Sequence, residues 1–420
     1  MHILDRMNYL KQDYDQLLNT YNTSISKNGG FIPGYVPGAS LPTSMQVYSV
    51  ACEKLAAYFS PDGKGVRAWL DDSFGKYDHK ISAEIDFLSE QELNTLLVSL
   101  TILIQSYRWD RCPPDKESFT LKTLSFPDGI YIPWAIVSEK LDLPLSNTYY
   151  AVIASNWKLK SRSAGEKYNN SEIFEKGLVL LNNWLKPPFD SQLENFILAF
   201  VEMEARGAIA INNMMTSIYA VVISDEKLLF ESLISLNESI AMMINEFSKR
   251  IRKKNIDLDD WKNIIHVPFA WGLEKDKQQL EGASGMQLGA IACLNIFLNI
   301  PNSSELAKAT LISREYMLPG QRKFLSELDA ISPAVKKFIV NSQSNNLINA
   351  YNACLKKIIA WRVSHKKRGE LYLRSDKEGL PNIATGLSIS GDHQSIASEF
   401  SKHMDSRISE TEQSMVDSNV

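Results

Sequence analysis

Few side chains in this chain are equipped for chemistry. Only six histidines are present: His2, His79, His266, His365, His393 and His403. The four cysteines, Cys52, Cys112, Cys293 and Cys354, lie far apart without a CxxC pair, which argues against a structural zinc site or a disulfide framework. No HExxH, Walker loop, GxSxG or carboxylate cluster is found. One histidine ends a helical stripe. Between Ser344 and Leu373, the residues Tyr351, Leu355, Ile358, Arg362 and His365 recur at three- and four-residue steps and so share a face. An apolar wall, an imidazole and a cation one turn earlier are the parts that hold a heme: a surface for the porphyrin, a ligand for the iron, a partner for a propionate. The same spacing describes an ordinary amphipathic helix with a half-buried histidine, and periodicity alone favours that plainer reading. His79 falls in a charged loop, and His2, His393 and His403 fall near the chain ends. Lys366, Lys367 and Arg368 read as a solvated face.

The elements that must position His365 are helical. Apolar residues recur with helical spacing in Met45 to Phe59, Ser89 to Tyr107, Trp134 to Leu141, Ser191 to Ser224, Lys227 to Lys253 and Gly285 to Leu298. Ser89 and Glu92 have the spacing of a capping box, and Pro144 and Pro187 stand where helices should stop or start. No repeat at solenoid periods is present. The expected fold class is all-α. A smaller N-terminal helical domain (1–160) and a connecting segment (161–190) should precede a larger helical bundle (191–374). Residues 375–420 are polar and serine-rich, as in a mobile tail that could still close over a pocket.

Composition narrows the partners. Hydrophobic residues make up 44% and charged residues 22%, as in an ordinary globular protein, and the net charge of -4 gives no electrostatic case for nucleic acid. The segment from Gly282 to Pro301 carries no charge, but Gln287, Asn295 and Asn299 dilute it, so a buried helix is expected rather than a membrane span. The charged N-terminus does not read as a signal peptide, and the sparse cysteines suit a reducing cytoplasm.

Four segments, taken in order, carry a family resemblance. LPLSNTYYAVIASNWKLK (Leu143 to Lys160), EGASGMQLGAIACL (Glu281 to Leu294), SREYMLPGQRKFL (Ser313 to Leu325) and YNACLKKIIAWRVSH (Tyr351 to His365) resemble the LPP…Y…ANWKKK segment, the GGSAGQS loop and its helix, the RxYMPxxHRxFL signature and the proximal helix of the indoleamine 2,3-dioxygenase superfamily. The resemblance implies an all-α fold enclosing one heme b, with His365 as the iron ligand and Arg362 as a propionate partner. It implies a distal loop of Gly282, Ala283 and Ser284. Asn295 stands where many relatives pair that arginine with an aspartate. Tyr149, Val152 and Ile153 would line an indole pocket, and Thr385 in IATGLS would approach the substrate ammonium, although the family's GTGG run is reduced here to TGLS. The implied partners are molecular oxygen and a small indole-like aromatic, with neither membrane nor nucleic acid.

Two departures bear on the substrate. The family's carboxylate-binding arginine should lie six residues before Trp271, where this chain has Ile265 followed by His266. Loss of a charge-assisted contact of that kind weakens binding of a free amino acid by about 1.5 to 3 kcal/mol, unless His266 replaces part of it. In SQLENFILAFVEMEARGAI, Glu194 and Leu198 align with positions that are Phe and Ser in many relatives, and a one-turn slip would restore Phe196 or Phe200 instead. Solvent exposure is expected for Glu194 because an unpaired acid is costly to bury. The readings that follow are tryptophan ring opening, oxidation or rearrangement of a modified aromatic in natural-product biosynthesis, and a heme sensor without turnover.

Overall fold

A computed structural model describes residues 3–175, 177–373 and 393–417. Helices dominate it, as the apolar spacing predicted. The N-terminal part holds α1 (Ile3–Ser24), α2 (Gln46–Lys54), α3 (Ala56–Phe59), α4 (Arg67–Phe74), α5 (Lys80–Ile85), α6 (Glu90–Trp109) and α7 (Asp128–Lys140). Next, α8 (Asn170–Phe174) lies between the antiparallel strands β1 (Trp157–Leu159) and β2 (Leu178–Leu180). The C-terminal part begins with α9 (Phe189–Val222), α10 (Glu226–Arg250), α11 (Leu258–Asp260) and the hairpin of β3 (Glu274–Lys275) and β4 (Gln278–Gln279). It continues through α12 (Gly289–Phe297), α13 (Glu305–Ile312), α14 (Pro319–Ile331), α15 (Pro333–Ser342), α16 (Asn345–Leu373) and α17 (His393–Glu412).

Local chemistry sets these boundaries. The capping box at α6 is formed, with Ser89 N–H donating to Glu92 Oε2 at 2.8 Å and Glu92 N–H donating to Ser89 Oγ at 3.3 Å. Residues Ile223–Asp225 turn the chain from α9 into α10: Ser224 takes φ 58° and Asp225 caps α10 by accepting from Leu228 N–H at 2.9 Å. The uncharged segment 282–301 becomes a short turn and the nine-residue α12, and no helix among the described residues is long and apolar enough to cross a membrane.

The longest helices set the frame of the C-terminal part. α9 packs along α10, and α16 packs against α10 and α17. The hydrophobic core is continuous from Leu17 to Val416, and α1 packs on α14 and α9, so the core does not divide at the boundaries expected near 160 and 190. The polar tail needs correcting. Its described part folds as α17, with Met404, Arg407, Glu410 and Thr411 buried; an apolar stripe of Ala397, Phe400 and Met404 at three- and four-residue steps was enough to dock a helix that composition alone made look too polar.

Candidate functional site

α16 and α17 form one wall of a cavity whose other walls come from α9, residues 261–266 and the segment 284–295. On α16, Trp361 and His365 are one turn apart and stack, with ring centroids 5.7 Å apart and 20° between planes. Phe400 of α17 meets the imidazole edge to face at 5.6 Å. α17 can come this close because α16 carries Gly369, where a Cβ would stand 2.3 Å from Phe400 Cε1. His365 Nδ1 is buried and has no hydrogen-bond partner among the described residues. Burial, and secondarily Arg368, push the imidazole down to a pKa of about 4. The ring is therefore neutral at pH 7, which leaves a nitrogen lone pair free to bind a metal.

One turn before His365, Arg362 is 3% exposed. It donates to Asn295 Oδ1 at 2.7 Å, and to the Arg407 carbonyl and Thr411 Oγ1. All three acceptors are neutral, and burial followed by the nearby Arg407 lowers its pKa to about 9. Arg407 is paired with Glu410, whose carboxylate also accepts from the N–H groups of Ser303 at 2.9 Å and Ser304 at 2.6 Å. Among the described residues, three arginines thus line the cavity, Arg362, Arg368 and Arg407, and no Asp or Glu does. A cluster of half-buried and buried cations with one carboxylate behind it is costly without an anion.

The facing wall is apolar. Phe196 and Phe200 of α9 line it with ring centroids 5.3 Å apart. A π-turn at Trp261–Ile265 closes His266 N–H onto Trp261 O at 2.8 Å, and the imidazole then stacks on the Trp261 ring at 4.2 Å. Wide turns of this kind are frequent at functional sites. Burial pushes His266 down to about 4, so it too is neutral. Ser284 caps the turn at Gly285–Gln287 by accepting from Met286 N–H at 3.2 Å, which leaves its hydroxyl proton available.

These residues fit a heme. Among the described residues no group of three or more His, Cys, Asp and Glu could hold a metal ion. An iron at His365 would need its remaining ligands from a macrocycle. An apolar cavity with a neutral imidazole at His365 and arginines at its edge suits a porphyrin carrying two propionates.

A sequence model of the family described as indoleamine 2,3-dioxygenase matches residues 18–379. The chain belongs to this family. It is 26% identical over 300 residues to indoleamine 2,3-dioxygenase 1 of Rattus norvegicus, covering 68% of this chain and 69% of the relative. It is 22% identical over 339 residues to indoleamine 2,3-dioxygenase 2 of Homo sapiens, covering 73% and 78%.

Against the indoleamine 2,3-dioxygenase resemblance, the structure brings His365, Arg362, Asn295, Ser284 and His266 to one cavity. Gly282 and Ala283 are not among its lining residues. Gly282 shapes the loop instead: a Cβ there would stand 2.1 Å from Phe269 O, and its carbonyl accepts from Gln287 Nε2 at 2.9 Å. Tyr149, Val152 and Ile153 are buried on or beside the π-turn Tyr150–Ala154 and also lie outside the lining. Tyr149 stands behind it, edge to face with Phe200 at 6.1 Å. Thr385 lies outside the described residues. Glu194 is half-buried and directed to β2, accepting from Leu180 N–H at 3.5 Å, so it is neither fully solvated nor part of the cavity, and Phe196 and Phe200 fill the aromatic role. Sequence reasoning missed Trp361, Arg368, His403 and Arg407. The first two share the His365 face at four- and three-residue steps and were legible; the other two required knowing that α17 docks.

Proposed function

We propose that this chain is a heme-dependent oxygenase that inserts dioxygen into the indole ring of tryptophan or a tryptophan-like substrate. The carrying observation is the His365 imidazole facing a cavity that is lined, among the described residues, by three arginines and by no carboxylate. Family membership supports the reading. When bound, heme b would supply the iron chemistry that activates oxygen and delivers it to an electron-rich ring. His365 would hold the iron, and Arg362, fixed by Asn295 and Thr411, would meet a propionate. Phe196 and Phe200 offer an apolar surface against which a planar indole can lie and exclude water. Among the described residues the lining contains no carboxylate, and burial holds His266 and His365 neutral at pH 7. These side chains therefore orient the substrate and keep it dry. A reducing compartment, the cytoplasm, suits the four buried and unpaired thiols.

Heme titration into purified protein tests the reading. The wild type should develop a Soret band and His365→Ala should not; a wild-type spectrum from the alanine variant would sink the proposal. Oxygen consumption that depends on substrate then separates an oxygenase from a sensor, and labelled dioxygen separates insertion of two atoms from one.

A second reading is favoured by one observation. Ile265, at the position of the family's carboxylate-binding arginine, is fully buried and outside the lining, and its neighbour His266 is neutral. A substrate other than free tryptophan, oxidised or rearranged in natural-product biosynthesis, would match that wall. Turnover of N-acyl or decarboxylated tryptophans in preference to tryptophan would support it.

A further inference from the structure

Glu204 of α9 is fully buried and lies outside the cavity lining. Its carboxylate is met by the start of α12: Oε1 accepts from Gly289 N–H at 2.7 Å and Oε2 from Ala290 N–H at 3.1 Å. Leu288, which precedes that helix, offers no side-chain acceptor, so α9 supplies from a distance the cap that α12 lacks. Small residues let the elements close to this contact. A Cβ at Gly207, one turn after Glu204, would stand 2.3 Å from Ala290 Cβ, and one at Gly289 would stand 2.0 Å from Phe31 Cγ.

α12 is thereby tied at both ends, since Asn295 near its C-terminus meets Arg362. Between the ties, Leu288, Ile291 and Ala292 line the cavity, as do Ser284 and Met286 of the preceding turn. Gln287 holds that turn from behind, accepting from Tyr149 N–H at 2.8 Å and donating to Gly282 O at 2.9 Å. The two anchors differ in that a carboxylate can take up a proton. Burial pushes Glu204 up to about 8, against the two N–H groups that lower it, so both forms are populated near neutral pH. The protonated form accepts more weakly and loosens the tie. Tyr149 and Cys293 of α12 face Glu204, and burial holds both well above their ordinary values. Cys293 in turn faces Tyr21 of α1 and Arg314, and Glu202 of α9 is paired with Arg250 of α10. Glu281, before the turn, is raised by burial to about 7 and titrates in the same range.

We propose that Glu204 is the positioning residue of the 284–295 wall: its carboxylate sets where α12 and the turn before it stand, and so how large a ligand the cavity admits. The size selection rests on the heme-oxygenase reading, whereas the anchoring of α12 does not.

The test compares wild type, Glu204→Gln, Glu204→Ala and Glu194→Gln, a control carboxylate on the same helix, each checked for an unchanged far-UV circular dichroism spectrum. Amide hydrogen exchange over residues 286–294, expressed as protection factors, is followed with and without heme between pH 6.5 and pH 9. Wild-type protection should rise roughly fivefold as Glu204 loses its proton. Glu204→Gln keeps one acceptor oxygen and should show intermediate protection without the pH step. Glu204→Ala should lose at least about tenfold at pH 9, and Glu194→Gln should match the wild type. On heme-loaded protein, imidazole and 1-benzylimidazole, a small and a large ligand with the same donor nitrogen, are titrated by their Soret shifts. The preference for the small ligand should fall at least about fivefold in Glu204→Ala and less in Glu204→Gln. The proposal is overturned if Glu204→Ala keeps wild-type protection, if the pH step persists in Glu204→Gln, which would assign it to Glu281, or if the loosened wall leaves the size preference unchanged. Absence of a Soret band in all proteins, with the Glu204-dependent protection intact, would refute the heme reading and leave the anchoring role standing.

Discussion

On the α16–α17 wall of the cavity, polar groups are tied into a chain. Arg362 donates to Asn295, Thr411 and the Arg407 carbonyl, Arg407 pairs with Glu410, and Glu410 caps the start of α13. Across the cavity, Phe196 and Phe200 offer ring faces, and His266 is held by stacking on Trp261. The first wall resists change because each group fixes the next, and its loss leaves charges buried. The second is held by shape, so a substitution there alters what fits while the polar chain stays intact. The departures from the family pattern divide the same way: Asn295 sits in the polar chain of the first wall, whereas His266 lines the second and Ile265 is buried behind it.

The sharpest way to break that contrast is Glu410→Ala. It removes the counter-charge of buried Arg407 and the acceptor for two backbone N–H groups. Removing one partner of a buried pair costs about 3 to 5 kcal/mol, so urea unfolding should show a loss of that size. A loss under about 1 kcal/mol would mean that the chain of contacts is no more than a surface network.

The facing wall should reveal itself through pH. The folded pKa of His266, about 4, is depressed below the unfolded value of roughly 6.5. Its neutral form contributes fully above that unfolded value, and stability is lost as pH falls from there towards 4, because the unfolded chain takes up the proton first. At pH 5 the cost is about 2 kcal/mol for this residue. His266→Phe should therefore lose about 2 kcal/mol less than the wild type between pH 7 and pH 5, and an unchanged pH profile would contradict the burial of a neutral imidazole.

The sequence revealed the two walls unequally. The stripe from Tyr351 to His365 follows helical periodicity, so α16 and its face were readable, and the Arg362–Asn295 contact followed from the resemblance. The capping box at Ser89 was readable because it depends on a spacing of three residues. Three features were not. α17 has a narrow apolar stripe in a polar composition, and its docking is a long-range event. The π-turn that stacks His266 on Trp261 adds a residue to a turn without a compositional sign. The position of Tyr149 behind the cavity depends on how α9 sets Phe200 in front of it.

A smaller effect tests the missing charge on the first wall. Asn295→Asp would give Arg362 a charged acceptor at the 2.7 Å position of the present amide oxygen. Charge-assisted bonds are roughly twice as strong as neutral ones, so stability at pH 7 should rise by about 1 kcal/mol. Arg362 should hold the new carboxyl below its unfolded value; the gain is then present above pH ~3.9 and lost as pH falls through the lower folded value. A destabilised variant would show that the charge of Arg362 is already balanced within the wall.

The smallest effect is expected on the outside of the same helix pair. Lys366 donates to Asp405 at 2.6 Å, joining α16 to α17, but the two side chains are 25% and 60% exposed. Water screens such a pair and its ordering costs side-chain entropy, so Lys366→Ala should change unfolding free energy by no more than about 0.5 kcal/mol. Measured beside Glu410→Ala, it sets an exposed ion pair of α17 against a buried one. If the two variants lose similar stability, α17 is held on by the sum of its polar contacts and not by the buried network around Arg362. If only Glu410→Ala is costly, the buried pair and its hold on the start of α13, and not the exposed pair, fix α17 in place.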